Sequence, residues 1–297
     1  MGFVPFACPE WDELNQKKNL FAQDEEEVHK HGLMDKCTRN IHLGTRSFTK
    51  ASASVTMEPN PQALLLSSSN CFGFNILEFA KKDISEVLEK NAISEIIFIP
   101  YAQNDYEKYT KTIQSAMVPW GFTVKGIQEF SDPNTAVNSA KAIFVGGGNT
   151  FLLLKRLYEN NLVEQIRKRV LYENLIYIGS SAGTNVATKT IHTTNDMPIV
   201  YPPTFDAISL VPFNINPHYI EKPDSDKHRG ETRDQRIGEF LQMPHAKYVL
   251  GLKEGSILHV NKNLLSIKGV AGAVLFKKGQ DKCEIPVGED VSYLLHV

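Results

Sequence analysis

The chain has 297 residues, of which 42% are hydrophobic and 22% charged, and its formal net charge is −2 at pH 7. These values are ordinary for a globular protein, and they argue against a nucleic-acid binder, which usually carries a basic patch. No apolar stretch approaches the roughly 18 residues of a membrane span, and the N-terminus lacks a secretory signal. We therefore expect neither a nucleic-acid partner nor a membrane association.

The four cysteines are far apart in the sequence and form no CxxC pair; they are Cys8, Cys37, Cys71 and Cys283. This spacing indicates neither a zinc site nor a disulfide framework, and free thiols are typical of a reducing compartment. The chain also has no HExxH motif or other clustered ligand spacing. We expect a cytoplasmic protein with no metal and no cofactor, acting as a monomer or homodimer.

Two parts of the chain differ in composition. Residues 1–56 are polar and charged without a sustained period, and 45–56 are rich in serine, threonine and alanine. We interpret them as a poorly ordered N-terminal extension. Residues 57–297 contain no internal repeat and no low-complexity linker, so we predict that they form a single α/β domain.

From Gln62 onward, short apolar runs alternate with segments of helical spacing. The predicted strands are 63–67, 95–100, 122–124, 142–145 and 175–178, and the predicted helices are 74–90, 105–118, 149–158 and 162–172. This alternation predicts a mostly parallel sheet with helices on both faces. Four closely spaced runs follow, at 247–250, 256–260, 264–268 and 273–276, and we expect them to form β-hairpins at one edge of that sheet.

Residues 179–183, Gly-Ser-Ser-Ala-Gly, fit the pattern G-x-S-x-G and place Ser181 at its centre. An apolar strand precedes them and a helix-compatible stretch follows, which is the context of a nucleophile elbow. The neighbours two residues away must be small because the turn is sharp. The amides of the following helix favour developing negative charge. A glycine-rich structural turn is the alternative interpretation.

A second glycine loop, Gly146 to Gly148, also joins a strand to a helix. Both nucleotide-binding patterns fail here, because no Lys-Ser/Thr follows and no third glycine stands at the dinucleotide spacing. A tight structural turn remains open. The other hypothesis is an oxyanion hole, in which an amide of Gly147 or Gly148 acts together with that of Ala182.

A serine nucleophile needs a base, and the base needs an orienting group. Of the nine histidines, His218 follows a strand candidate, so we expect one edge of the sheet to present it beside the elbow. The loop carboxylates Asp196 and Glu254 are both candidates for the orienting acid. The residues alone do not choose between these two.

Together these segments resemble peptidase E, the α-aspartyl dipeptidase family of serine peptidases. The resemblance rests on FVGGGNTF at 144–151, GSSAG at 179–183, TTNDMPIV at 193–200, INPH at 215–218 and GETR at 230–233. It covers about residues 60–297 and implies a glutamine-amidotransferase-like α/β fold. By this resemblance Ser181 is the nucleophile and His218 the base, with Asp196 or Glu254 as the acid; we lean towards Glu254. Asp196 is also a candidate for receiving the substrate's α-ammonium.

The resemblance further implies that Arg233 grips the aspartate side chain of the substrate with two parallel bonds, and that Asn149 contributes to substrate binding. The alternative for Arg233 is a place at the start of a salt-bridged helix. The implied activity is hydrolysis of dipeptides with an N-terminal aspartate. A serine exopeptidase with another first-residue preference, including one acting on aspartate-backbone polymers, and a non-catalytic small-molecule-binding protein on the same fold remain alternatives.

Overall fold

The computed structural model describes residues 58–221 and 230–296. All of these residues fall within one compact unit, Val55–Val297. The predicted extension, residues 1–56, lies outside the described residues.

The larger sheet has seven strands in the order β3-β2-β4-β5-β1-β8-β9. Their bounds are β1 Gln62–Leu66, β2 Glu95–Ile99, β3 Thr123–Gly126, β4 Ala142–Val145, β5 Ile176–Ser180, β8 Ser256–Asn261 and β9 Leu264–Gly269. The first five are parallel to one another, whereas β8 and β9 form an antiparallel hairpin beside β1. The prediction of a mostly parallel sheet is confirmed.

Seven α-helices occur in the described residues. They are α1 Lys81–Lys90, α2 Tyr106–Met117, α3 Pro133–Ser139, α4 Thr150–Glu159, α5 Leu162–Tyr172, α6 Ala182–Val186 and α7 Arg233–Gln242. The short helix α3 is absent from the predicted elements. It begins after Asp132, whose carboxylate accepts from the amides of Asn134 and Thr135, and Pro133 occupies its first turn.

Both faces of the larger sheet are buried, because alternate side chains of a strand point to opposite faces. In β1, Leu65 belongs to one hydrophobic cluster with residues of α3, α4 and α5. Leu64 and Leu66 belong to another, with residues of α1 and α2. Helices therefore cover both faces, as predicted.

The late strands do not all lie at one edge of the larger sheet, so that part of the prediction is wrong. Four strands form a second sheet in the order β11-β10-β7-β6. They are β6 Asn214–Tyr219, β7 Tyr248–Lys253, β10 Ala273–Lys277 and β11 Cys283–Ile285. Here β6 and β7 run parallel, a pairing that the closely spaced strand pattern does not reveal.

Cys71 and Cys283 are free thiols, while Cys8 and Cys37 lie outside the described residues. In the described part of the chain, we find no helix with the length and apolar character that a membrane span requires.

Candidate active site

Ser181 occupies a strained turn between β5 and α6. Its backbone has φ 54° and ψ −107°, a conformation that side-chain-bearing residues adopt only where the surroundings impose it. Its amide donates to the carbonyl of Leu66 at 3.1 Å, which ties the turn to the end of β1. The predicted elbow is therefore present, with the Ser181 hydroxyl at the carboxyl edge of the parallel strands.

Close backbone packing explains why glycines surround Ser181. A Cβ atom at Gly183 would lie 2.1 Å from the carbonyl oxygen of Val145, and one at Gly179 would lie 2.7 Å from that of Gly183. A Cβ at Gly147 would come within 3.0 Å of the Ser181 Cβ. The first two contacts are too short for any side chain, so these glycines allow β4, β5 and α6 to meet.

His218 lies within β6 at an irregularity in its pairing with β7, between Asn216 and Tyr219. This differs from the expected position after a strand of the parallel sheet, since β6 belongs to the second sheet. The backbone of His218 has φ 54°. A bulge redirects the side chain of a strand residue, and here it aims the imidazole at the elbow.

Ser181, His218 and Glu254 form a continuous hydrogen-bonded chain. The Ser181 Oγ lies 2.8 Å from the His218 Nε2, and the His218 Nδ1 lies 2.6 Å from the Glu254 Oε1. These distances suit a hydroxyl that donates to Nε2 and an Nδ1–H that donates to the carboxylate. The side chains of His218 and Glu254 are 34% and 42% exposed, so the chain is open to substrate.

Glu254 reaches His218 because of its place in the fold. It stands with Gly255, whose φ is 83°, in the tight turn that leads from β7 of the second sheet to β8 of the larger sheet. Ser67, just after β1, connects the larger sheet to β6 and β7 of the second sheet. Its hydroxyl accepts from the His218 amide and donates to the Leu252 carbonyl, both at 2.9 Å.

Asp196, the other candidate acid, is hydrogen-bonded elsewhere. Its Oδ2 accepts from the Thr150 amide at 2.8 Å, the Thr150 hydroxyl at 2.6 Å and the Thr194 hydroxyl at 3.1 Å. The carboxylate thus lies at the N-terminus of α4, where the helix dipole favours a negative charge. Among the described residues, Oδ1 has no hydrogen-bond partner and no contact joins Asp196 to His218.

The glycine loop distinguishes Gly147 from Gly148. The Gly147 amide donates to the Tyr109 hydroxyl at 2.8 Å, so it is not free for an oxyanion. The Gly148 amide, at an exposed position with φ 139°, has no acceptor among the described residues. Ala182 is the first residue of α6, and its amide has no intrahelical acceptor. Of the three expected donors, Gly148 and Ala182 are the available pair.

Tyr109 and Ser69 are the site residues that the sequence analysis missed. The Tyr109 hydroxyl accepts from the Gly147 amide at 2.8 Å, and the Ser69 hydroxyl lies 2.7 Å from that of Ser180. Burial raises the pKa of Tyr109, so this hydroxyl stays protonated. The polar run of residues 67–69 directly after β1 could have drawn attention to Ser69, whereas Tyr109 occupies an ordinary core position of an amphipathic helix.

Arg233 is the first residue of α7, after the capping residue Thr232. It thus begins a helix, as the alternative interpretation expects. Among the described residues it forms no ion pair; the salt bridges at this helix start join Arg236 to Glu231 and Asp234 to Lys282. Burial and the neighbouring Arg236 lower the pKa of the Arg233 guanidinium, and Asp196 raises it. Asp196 therefore acts on Arg233 as an opposite charge, without an ion pair between them in the described residues.

Both polar atoms of the Asn149 side chain form hydrogen bonds within the protein. Its Oδ1 accepts from the Leu152 amide at 3.0 Å and caps α4, and its Nδ2 donates to the Met197 carbonyl at 2.8 Å. It thus holds the 196–200 loop against the glycine loop. Its expected contact with substrate is not supported by a free polar group.

No group of three or more histidine, cysteine, aspartate or glutamate side chains is placed to hold a metal ion in the described ranges. The side chains gathered at the elbow can instead perform nucleophilic attack, proton transfer and anion stabilisation.

Curated relatives cover most of the chain. A probable alpha-aspartyl dipeptidase of Drosophila melanogaster is 47% identical over 232 residues, which is 78% of this chain and 96% of the relative. Peptidase E of Streptomyces coelicolor is 44% identical over 234 residues, which is 79% of this chain and 95% of the relative.

Solved structures share the fold. A putative peptidase E from Listeria monocytogenes has a TM-score of 0.56 and 20% identity, covering 71% of this chain and 100% of that chain. A peptidase from an acI-B1 actinobacterium has a TM-score of 0.58 and 17% identity, covering 79% of this chain and 97% of that chain.

The model of Peptidase family S51 matches residues 63–268, a range that contains Ser181, His218 and Glu254. Fold, relatives and family model agree, and the chain belongs to peptidase family S51.

Proposed function

We propose that this protein is a serine dipeptidase that hydrolyses Asp-X dipeptides through an acyl-enzyme on Ser181. The observation that carries the proposal is the unbroken hydrogen-bonded chain from Ser181 through His218 to Glu254. The family membership supports a peptidase. The preference for aspartate rests on two relatives, one described as a probable alpha-aspartyl dipeptidase and one as peptidase E.

In the first half of the reaction, His218 Nε2 accepts the proton of Ser181 as its oxygen attacks the carbonyl carbon of the first substrate residue. The carboxylate of Glu254 holds the ring in the right tautomer and stabilises the imidazolium. His218 then donates its proton to the leaving amine. In the second half, His218 activates a water molecule that releases aspartate.

The tetrahedral oxyanion is held by the amides of Gly148 and Ala182 in this proposal. Ala182 directly follows Ser181, and Gly148 lines the same cleft as Ser181. Both amides lack protein acceptors in the described part of the chain, so no existing bond has to break when the anion forms. Amides fixed in advance stabilise the developing charge without reorganisation. Gly147 takes a supporting role, because Tyr109 holds its amide.

Asp196 and Arg233 form the subsite for the first residue of the substrate. The free Oδ1 of Asp196 can accept the α-ammonium, and the guanidinium of Arg233 can pair with the side-chain carboxylate through two parallel bonds. Two opposite charges on the protein thus match two opposite charges on an N-terminal aspartate. Each group would lose a partner with a substrate that lacks the corresponding charge.

The test is a panel of Asp-Leu, Glu-Leu, Asn-Leu and Ala-Leu. We expect Asp-Leu to be cleaved with the highest kcat/KM. Arg233→Ala should raise KM for Asp-Leu about tenfold or more, since a charge-assisted bond is lost. The ratio of kcat/KM for Asp-Leu to that for Asn-Leu should therefore be smaller in the variant than in the wild type. Arg236→Ala, one turn along the same helix, is the matched control. A wild type that cleaves Ala-Leu as well as Asp-Leu would contradict the proposed preference.

We also infer a cytosolic location. The free thiols of Cys71 and Cys283 support it, since unpaired cysteines persist in reducing compartments.

A further inference from the structure

An open cleft of about 580 Å³ extends from the nucleophile. Ser181, His218 and both Gly147 and Gly148 line it, so it reaches the reacting atoms. Residues of the loop after β1 and of the region around the start of α2 complete its lining, among them Asp105, Lys108 and Tyr109.

This cleft is separate from the subsite proposed for the first residue of the substrate. Within the described residues, neither Asp196 nor Arg233 lines it. A bound dipeptide has only one other part, the residue that leaves with the new amine. The cleft is therefore available to that second residue.

Lys108 supplies a positive charge to this cleft. Among the described residues that line the cleft, Lys108 is the single lysine or arginine, and it forms no salt bridge within the described part of the chain. Asp105 also lines the cleft, but its Oδ1 accepts from the Lys108 amide at 3.0 Å as the cap of α2. Lys108 belongs to the first turn of α2, where the helix dipole also favours an anion.

The leaving residue of a dipeptide is short. In the leaving residue, the carboxylate carbon lies only about 2.5 Å from the scissile nitrogen. Lys108 is adjacent to Tyr109, whose hydroxyl holds the Gly147 amide beside Ser181. The first turn of α2 is thus anchored on the catalytic loop, and the flexible four-carbon stem of a lysine can carry its ammonium towards the leaving group.

We propose that Lys108 binds the free α-carboxylate of the substrate's second residue and thereby restricts cleavage to dipeptides. The inference rests on the proposed function and extends it to the substrate's other end. In a tripeptide the second residue carries a neutral amide in place of the carboxylate, and the terminal carboxylate moves about 3.3–3.6 Å farther out. Lys108 would then lose its partner at the position nearest the nucleophile.

The experiment compares Asp-Leu with Asp-Leu amide, which lacks only the terminal charge. The variants are Lys108→Ala, Lys108→Arg and the control Lys111→Ala, an exposed lysine on the same helix that does not line this cleft. We expect Lys108→Ala to raise KM for Asp-Leu about tenfold with kcat retained, as fits the loss of one charge-assisted bond. KM for the amide should stay within about twofold, and Lys108→Arg should restore most of the difference.

An equal loss on both substrates would overturn the inference, because it would indicate a structural role for Lys108. Unaltered kinetics of Lys108→Ala on Asp-Leu would overturn it as well. If the wild type released aspartate from neither substrate, the proposed function itself would fall, and this inference with it. Cleavage of the amide by the wild type with the same KM as Asp-Leu would overturn the inference alone.

Discussion

Two residues at the reacting centre have left-handed backbone conformations, Ser181 and His218, each with φ 54°. Such conformations cost of order 1–3 kcal/mol in residues with side chains, and they persist where the surrounding structure imposes them. Here the Ser181 amide is held by Leu66, and that of His218 by Ser67. Leu66 is the last residue of β1 and Ser67 follows it, so the end of this one strand holds both the nucleophile and the base.

Substitutions of the two candidate acids, Glu254 and Asp196, are expected to change different kinetic constants. Glu254→Gln removes the charge that orients and stabilises the His218 ring, so we expect kcat to fall by about 10³–10⁴ with little change in KM. Asp196→Asn removes the proposed ammonium partner, so it should chiefly raise KM. Steady-state kinetics on Asp-Leu separates the two. A larger loss of kcat from Asp196→Asn than from Glu254→Gln would reverse the assignment.

At the residue level, the sequence predicts the turn at Ser181 because its signal is local, while the roles of the site residues stay predictions. Ser181 was identified from five consecutive residues, and the strained turn is a property of those residues and their immediate contacts. The choice between Asp196 and Glu254 had to stay open, because the bond between His218 and Glu254 joins positions 36 residues apart. Tyr109 was missed for a similar reason, since its partner Gly147 is 38 residues away.

At the scale of elements, the sequence predicts β1 to β5 and the helices α1, α2, α4 and α5 in the right order, because each has its own periodicity. Helix α5 was predicted with the bounds that it has, Leu162–Tyr172. Helix α3 was missed although Asp132 and Pro133 form a recognisable start, because it has only seven residues. The bulge at His218 has no local signal, since it depends on how β6 pairs with β7.

One strand carries a titratable group that affects stability. His259 on β8 is half-buried, and burial lowers its pKa, with Lys268 and Lys90 acting in the same direction and Asp83 and Glu86 opposing them. A histidine with a lowered pKa takes up a proton less readily in the folded state than in the unfolded state. Its contribution to stability is therefore complete above the unfolded pKa near 6.5 and is lost as the pH falls towards the folded value.

We predict that the free energy of unfolding decreases between pH 7.5 and about 5.5, and that His259→Gln makes this decrease shallower. Urea denaturation at several pH values measures it, with the exposed His296→Gln as the control. Asp83, whose own pKa is raised mainly by burial, contributes with the opposite sign at lower pH. An unchanged slope in His259→Gln would contradict the prediction.

At the scale of the whole molecule, the site lies where two sheets meet. The parallel strands of the larger sheet deliver Ser181, the second sheet delivers His218, and the turn that connects the sheets delivers Glu254. The sequence predicted the fold class, and the resemblance to peptidase E is confirmed by the family model and the relatives. The division into two sheets was not predictable, because short strands of similar pattern do not specify their partners.

The domain boundary stays a prediction that can be tested by truncation. The family model begins at residue 63, so we expect a chain lacking residues 1–56 to retain kcat and KM on Asp-Leu within about twofold. Kinetics and thermal unfolding of the truncated and full-length chains provide the comparison. A tenfold or larger loss of kcat/KM in a truncated chain that still unfolds cooperatively would show that the N-terminal residues take part in activity.

The measurement that bears most directly on the account is aspartate release from Asp-Leu by the wild type, Ser181→Ala and the exposed-serine control Ser115→Ala. With the hydroxyl hydrogen-bonded to His218 as the nucleophile, Ser181→Ala should lower kcat by about 10⁴ or more while Ser115→Ala keeps wild-type rates. Retention of a tenth or more of wild-type activity in Ser181→Ala would contradict the proposed chemistry.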